Sequence, residues 1–463
     1  MAQQGWLPGH LFTRRGWGML AAGAASLAAA HIMGRRDLLA LAILLIMLPL
    51  ASLAGLRLVH PRFRVARTFT PSPVETSAPV RVHLMVARTG PGTGRAVMEE
   101  RLPARFGESP SFRFPSRAAT GGASRYEYRL RPPQRGQFLI GPVTAEFTDP
   151  FGLSLHRQAI DDGETLTVTP AAVVLPRTVL AGARGHDGIT ATRSRANPSD
   201  DDVMTREYRH GDPMRRVHWA ATARHGELMV RQEESVTTPE ATILLDLRAA
   251  AFPGGNHDEG VEAGSPAFEW AVVAAMSLSS HLAGRSYALR LLDQHGAPAF
   301  RHSPSAPEPE TEEYAGPSGL QSIAESLAAI LPAAAHRDGR GTALPRRPDP
   351  ESQPAPFDDG LMDKLSAHRM RGPLVAVLGR ISAADARALA PAATYATTAM
   401  AVVVTEVPAE AAEALELLRA AGWRAVAAAP RTSVADAWGR LDAGRAARTE
   451  PGSDARRRAG AGL

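Results

Sequence analysis

Thr242-Ile243-Leu244-Leu245-Asp246-Leu247 is a run of aliphatic residues interrupted by one carboxylate, and it opens a pattern that fills the C-terminal half of the chain. A short apolar run without polar alternation reads as a strand buried on both faces. Similar runs follow at Tyr287–Leu292, Leu374–Leu378, Ala401–Thr405 and Arg424–Ala428. Helical patterns lie between and after them, at Pro266–Ala283, Leu320–Leu331, Asp358–Arg371, Pro408–Ala421 and Ser433–Leu441. This alternation predicts an α/β domain over residues 241–447, a parallel sheet joined by crossover helices. Pro253–Ser265, Ser303–Gly319 and Arg337–Pro356 break the pattern with Pro, Glu and Gly and read as mobile loops or linkers. The basic tail, 448–463, reads as disordered.

Upstream, residues 61–180 show short alternating runs such as Val80-Arg81-Val82-His83-Leu84-Met85-Val86 and Tyr126-Glu127-Tyr128-Arg129-Leu130, separated by Pro and Gly turns. They predict an all-β sandwich. Gly90-Pro91-Gly92-Thr93-Gly94 has the glycines of a phosphate cradle, but no Lys-Ser or Lys-Thr follows and no helix pattern opens after it. It reads as a hairpin loop.

Residues 1–60 carry two apolar spans, about 16–34 and 38–59, and Leu38–Leu56 holds no charge. At ~1.5 Å per helical residue this run covers the ~30 Å core of a bilayer. Arg35-Arg36-Asp37 leaves room only for a tight turn, so the spans form a transmembrane helical hairpin, with Gly18, Ala22 and Ala25 as small residues for close packing. Arg14 and Arg15 precede the hairpin and Arg57, Arg62, Arg64 and Arg67 follow it, against Arg35 and Arg36 in the turn. The positive-inside rule then places the body in the cytoplasm of a bacterial cell, on a multi-pass inner-membrane anchor. Ala28-Ala29-Ala30 also has the form of a signal cleavage site, and cleavage there would leave the second span to hold the same orientation.

The 463 residues include no cysteine, which excludes disulfides, thiolate nucleophiles and cysteine-ligated zinc. A net charge of +5 is modest for this length, and arginine collects around the anchor and the tail. Membrane-surface electrostatics account for the basic excess, and nucleic acid is not an expected partner.

The densest polar stretch, within residues 181–240, runs from Asp201 and Asp202 through Arg206-Glu207-Tyr208-Arg209-His210-Gly211-Asp212-Pro213-Met214-Arg215-Arg216-Val217-His218-Trp219 to Ala223-Arg224. Asp212 before Pro213 has the form of a helix cap and His225-Gly226 that of a helix end, which predicts about three helical turns followed by a strand at Leu228–Arg231. Val217 and Ala221 share one face of that helix. Arg206-Glu207-Tyr208, Gly211-Asp212, Arg215 or Arg216, Trp219 and Ala223-Arg224 resemble the motif of the domain of unknown function 58 family. Arg135-Gly136-Gln137-Phe138 and Asp149-Pro150-Phe151-Gly152-Leu153 resemble the family's Arg-Gly-aromatic and Asp-Pro-Phe-Gly-Leu elements. The resemblance implies that the body ends in a von Willebrand factor A-like, Rossmann-like α/β domain, and that the partner is a MoxR-type AAA ATPase.

Such A-like domains usually hold a divalent cation after the first strand through Asp-x-Ser-x-Ser, where the matching residues here are Asp246-Leu247-Arg248-Ala249-Ala250. Only the aspartate remains; Arg248 and Ala250 replace the hydroxyls, and the permanent charge of Arg248 repels Mg²⁺ while offering Asp246 an internal partner. The loop therefore reads as a degenerate ion site, with no metal and no cofactor expected. Among proton carriers, His218 has the chemistry of a base and Asp201, Asp202, Glu207 and Asp212 that of acids, but Arg206, Arg209, Arg215, Arg216 and Arg224 suffice to pair the carboxylates. No nucleophile elbow, Walker loop, HExxH or Rossmann glycine pattern occurs. Two readings follow: a membrane-anchored, non-enzymatic adaptor whose family motif contacts the ATPase, with an unnamed client, or a ligand- or divalent-metal-binding protein, or hydrolase, that uses the central Asp/Glu/His/Arg motif.

Overall fold

The computed structural model describes residues 11–58, 62–89, 96–115, 122–176, 205–208, 214, 217–231, 239–254, 265–332, 355–368 and 372–446. The expected Gly90–Gly94 loop, most of the Pro253–Ser265 and Arg337–Pro356 segments, the tail, and Asp201, Asp202, Arg209, Gly211, Asp212, Arg215 and Arg216 lie outside these residues. The chain forms two compact units, Met1–Ala172 with Phe300–Glu310 and Gln321–Leu331, and Val173–Ala299 with Thr311–Leu320 and Pro332–Leu463. Together they comprise two apolar N-terminal helices and a mixed α/β body with several sheets.

In the first unit, α1 (Arg14–Met33) and α2 (Arg36–Leu58) pair as a hairpin, each long and apolar enough to cross a membrane. Thr13 caps α1 by accepting from the Gly16 N–H, and Gly34 ends it in the left-handed region at φ 64°. Gly18, Ala22 and Ala25 are exposed, so the expected small-residue seam does not run through them. It follows another face instead: Gly23 and Ala30 are buried on α1, seven residues apart, and Ala42 and Pro49 on α2. A Cβ on Gly23 would stand 2.6 Å from Ile46 Cγ1, so only glycine permits this approach.

Ten strands follow: β1 (Phe63–Thr70), β2 (Val74–Glu75), β3 (Val80–Arg88), β4 (Ala96–Glu100), β5 (Ser111–Phe114), β6 (Ala123–Leu130), β7 (Gly136–Ile140), β8 (Val143–Thr148), β9 (Leu155–Ala159) and β10 (Glu164–Thr169). They build sheets in the orders β1-β3-β6, β2-β10-β7 and β5-β4-β8-β9. Alternation along β3 decides the packing. Val80, Val82, Leu84 and Val86 are buried, while Arg81, His83 and Met85 face outward. Leu84 and Val86 share a core with Met98 of β4 and Ala145 and Phe147 of β8, and Val80 and Val82 share another with Ile140 of β7 and Leu166 and Val168 of β10. The middle strand of one sheet thus supplies one face to two cores.

The second unit opens with β11 (Thr205–Glu207), α3 (Trp219–His225) and β12 (Met229–Arg231), the two strands pairing antiparallel. The helix differs from expectation. It begins at Trp219, capped by the His218 Nδ1, which accepts from the Ala221 N–H, because Val217 is drawn into a bridge with Val230 and cannot be helical. Gly226 terminates it at φ 76°.

The larger part is a six-stranded sheet of β13 (Glu240–Leu245), β14 (Ala288–Leu292), β15 (Glu313–Tyr314), β16 (Leu374–Leu378), β17 (Ala399–Val404) and β18 (Arg424–Ala428), in the order β15-β14-β13-β16-β17-β18. All neighbours are parallel except β14 and β15. Every residue of β16 and β17 is buried, the signature of strands covered on both faces. The helices are α4 (Pro266–Ala283), α5 (Gly316–Ala328), α6 (Asp359–Ala367), α7 (Ala383–Leu389), α8 (Ala412–Ala420) and α9 (Val434–Ala446). Of these, α5 runs from the second unit into the first at residue 321. Ser265 caps α4 and Pro266 is its first residue. The Ser303–Gly319 segment, read from its composition as a loop, carries the edge strand β15, with Tyr314 buried.

Candidate functional site

The sheet order reverses between β13 and β16, whose chain continuations lead to opposite sides of the sheet. In open α/β sheets the carboxyl ends at such a switch point flank the crevice where ligands bind. Asp246 follows β13 and Gly379 follows β16, so both stand at this crevice.

Asp246 is fully buried. Its Oδ1 accepts from Arg248 Nε at 2.9 Å and from the Arg248 backbone N–H at 3.1 Å; its Oδ2 accepts from Arg248 Nη2 at 2.8 Å and from the Gly379 N–H at 3.3 Å. A carboxylate has about four acceptor positions, and these four donors use them. The guanidinium reaches onward, with Nη1 3.3 Å from Asp385 Oδ2 and the Cζ 5.3 Å from the centre of the Phe357 ring. Burial pulls the Arg248 pKa down, and the hydrogen bonds and charges of Asp246 and Asp385 more than reverse it, holding the group above the ordinary arginine value. Gly379 is glycine by contact: a Cβ would meet the Ala251 carbonyl oxygen at 2.5 Å. Ala250 lies in the short 3₁₀ turn Ala249–Ala251 and supplies no side-chain donor or ligand.

Asp385 and Phe357 complete the arginine's surroundings and were not singled out in the sequence. Ser382-Ala383-Ala384-Asp385 is a capping box, with Ser382 Oγ accepting from the Asp385 N–H and Asp385 Oδ2 accepting from the Ser382 N–H. That spacing is the signal that places a carboxylate at the mouth of a strand-to-helix turn.

Residues 204–292 match the family model described as Protein of unknown function DUF58. No curated protein matches the chain. The DUF58 match takes in β11, α3 and β12, then β13 with Asp246 and Arg248, and ends with β14. Within it Arg206 lies in β11, the Tyr208 N–H donates to the Leu228 carbonyl at 2.8 Å, and Glu207 and Arg224 are exposed. Trp219 is 65% exposed at the first position of α3. Among the described residues, no group of three or more His, Asp and Glu is placed to hold a metal ion.

Upstream of the DUF58 match, in the first unit, Arg135 Nη1 donates to the carbonyls of Leu327 and Ala328, at 2.7 and 3.1 Å, where a cation satisfies the last turn of α5. Gly136, at φ 147°, follows it at the start of β7, with Phe138 of the same strand packed over its open face. Asp149 organises the Asp149-Pro150-Phe151-Gly152 turn. Its carboxylate accepts from the N–H groups of Phe151 (3.2 Å), Leu153 (2.6 Å) and Ser154 (2.9 Å), and from the Ser52 hydroxyl. Burial pushes its pKa up, but the Ser52 hydroxyl and these N–H groups more than offset that and hold it below the ordinary aspartate value. With the folded pKa below the unfolded one, the ionised carboxylate adds stability that is complete above the ordinary value of 3.8 and is lost as pH falls through the folded value. In detergent, the thermal midpoint of the unaltered protein is therefore expected to exceed that of Asp149→Asn at neutral pH, and the gap to close as pH drops below about 4.

Proposed function

We propose that this chain is a membrane-anchored, non-enzymatic adaptor: the hairpin spans the cytoplasmic membrane, the body stands in the cytoplasm, and a MoxR-type AAA ATPase is its partner in assembling or remodelling a client protein. The observation that carries the reading is the filled switch point. The crevice where a sheet of this order takes ligands contains the chain's own Arg248, which makes three of the four hydrogen bonds to Asp246, the Gly379 N–H making the fourth. The strand order and the aspartate after the first strand support the von Willebrand A-like assignment, and the arginine in place of hydroxyl ligands supports an ion site lost from it.

The anchor reading rests on the hairpin surface. Leu27, Ile32 and Met33 of α1 and Leu39, Leu41, Ile43, Leu44, Met47 and Leu50 of α2 are all exposed, an apolar belt that water does not tolerate and lipid does. Partner contact is best supported at Trp219, because an exposed tryptophan in an arginine-rich stretch of sequence has the composition of an interface hot spot.

Full-length protein extracted in mild detergent with a non-hydrolysable ATP analogue is expected to retain the ATPase, identified by mass spectrometry. Trp219→Ala, which removes no buried contact, is expected to lose it while keeping the thermal midpoint. Repeated recovery of folded protein without any AAA ATPase contradicts the adaptor reading.

A further inference from the structure

The Asp149–Ser154 turn sits against both helices of the hairpin, and its most prominent side chain is an exposed phenylalanine. The chain has thirteen phenylalanines, and Phe151 is the one that is exposed, at 63%; the others are buried or half-buried. The turn is rigid. Three N–H groups bind the Asp149 carboxylate, and Gly152 at φ 68° supplies the left-handed residue the reversal needs. Phe151 is thus held outward rather than left loose.

The same turn is tied to the end of the hairpin at which α1 begins. The Thr13 N–H donates to the Leu153 carbonyl at 2.9 Å, the Thr13 hydroxyl donates to the Gly152 carbonyl at 2.6 Å, and Phe12 bridges Ser154. A Cβ on Gly16 would lie 2.1 Å from the Leu153 oxygen, so the turn rests directly on α1. On the other helix the Ser52 hydroxyl donates to Asp149, two residues beyond Leu50, where the exposed apolar belt of α2 stops until Leu58. Trp17, edge-to-face with Phe12 at 5.5 Å, and the exposed Arg14, Arg15 and Arg57 stand at this end too. Aromatic rings with arginines are the composition of a membrane–water boundary.

We infer that the Asp149–Ser154 turn is a third membrane contact, with Phe151 seated in the boundary between lipid headgroups and acyl chains. This rests on the anchor reading. The partner is the bilayer itself, and the turn's bonds to Thr13 and Ser52 fix the β-unit's height on the membrane.

The absence of cysteine makes the test clean, because Phe151→Cys, Ile43→Cys and Leu139→Cys each give one labelling site in the full-length chain. Each variant is reconstituted in vesicles of phosphatidylethanolamine and phosphatidylglycerol, labelled with an environment-sensitive fluorophore, and exposed to lipids carrying a nitroxide either near the carbonyls or at the chain end. Ile43 is exposed in the apolar belt and Leu139 is exposed on β7. The label at Phe151 is expected to be quenched, more by the shallow nitroxide than by the deep one, with Ile43 quenched and Leu139 not. Quenching at Ile43 with Phe151 behaving like Leu139 overturns the third contact and leaves the anchor standing. Quenching at none of them overturns the anchor reading and the third contact together, and equal quenching at Phe151 and Leu139 overturns the third contact.

Discussion

Arg67→Ala is expected to destabilise the β-unit by roughly 3–5 kcal/mol, the loss typical of breaking a buried ion pair from one side. Arg67 is buried in β1 with its side chain 3% exposed, and it donates to Glu100, whose side chain is completely buried, and to Asp161. Asp161 is itself built into the fold, with Oδ1 accepting from the Val143 N–H at 2.6 Å and Oδ2 from the Gly163 N–H at 2.9 Å. Burial pulls the Arg67 pKa down, and the hydrogen bonds to Asp161 and Glu100 outweigh it, so the group stays charged. Burial, then the charge of Glu100, push the Tyr128 hydroxyl up, which keeps it neutral. Removing the guanidinium strands Glu100 in the core. A Cβ on Gly141 would stand 2.6 Å from Arg67 Nη2, so the backbone is also shaped around this side chain. Denaturation in detergent, followed by circular dichroism, checks the loss. Arg67→Met combined with Glu100→Leu is expected to recover most of it, because a buried pair replaced by apolar volume is often close to neutral.

Arg248→Ala is expected to destabilise the second unit by roughly 3 kcal/mol, at the low end of the range because the Arg248 side chain is 20% exposed and water can reach the gap it leaves. Asp246 would keep the Gly379 and Arg248 N–H groups but lose two of four donors while remaining buried. Arg248→Lys should recover little, since an ammonium cannot make the parallel pair of bonds or lie over Phe357 as a plane. The paired change Arg248→Ala with Asp246→Ala should be milder than the sum of the singles, because it removes the stranded charge, and thermal midpoints of the four proteins form the cycle that shows it.

Where local chemistry and tertiary packing agree, the elements are legible in the chain. Ser265-Pro266 marks the start of α4 by cap and first-turn proline, and Leu374–Leu378 and Arg424–Ala428 are strands over those same residues. The pairing of Arg248 with Asp246 follows from substituting a cation where a cation's ligands would stand. Other features depend on contacts that no local pattern encodes. The two-residue strand β15 exists because β14 offers it an edge, and its Pro- and Glu-rich surroundings hide it. The helix α7 is alanine-rich and buries Ala386 and Leu389, too narrow a stripe to register as amphipathic. Asp212-Pro213 has the chemistry of a helix start but lies outside the described residues; among those described, Val217 is in a bridge with Val230 and α3 begins at Trp219. The hairpin seam is decided by the face α1 turns to α2, and one-letter smallness at Gly18, Ala22 and Ala25 says nothing of that face.

The switch point carries the account, and a metal titration reads it directly. Mg²⁺, Ca²⁺ and Mn²⁺ are added to the intact protein in detergent while thermal unfolding is followed, beside Asp246→Ala. With Arg248 and the Gly379 N–H occupying the acceptor positions of Asp246, the unaltered protein is expected to show no saturable rise in midpoint with any of the three ions. A saturable rise that Asp246→Ala abolishes would contradict the account, because it would mean that the crevice opens to a cation and that the site is a working one.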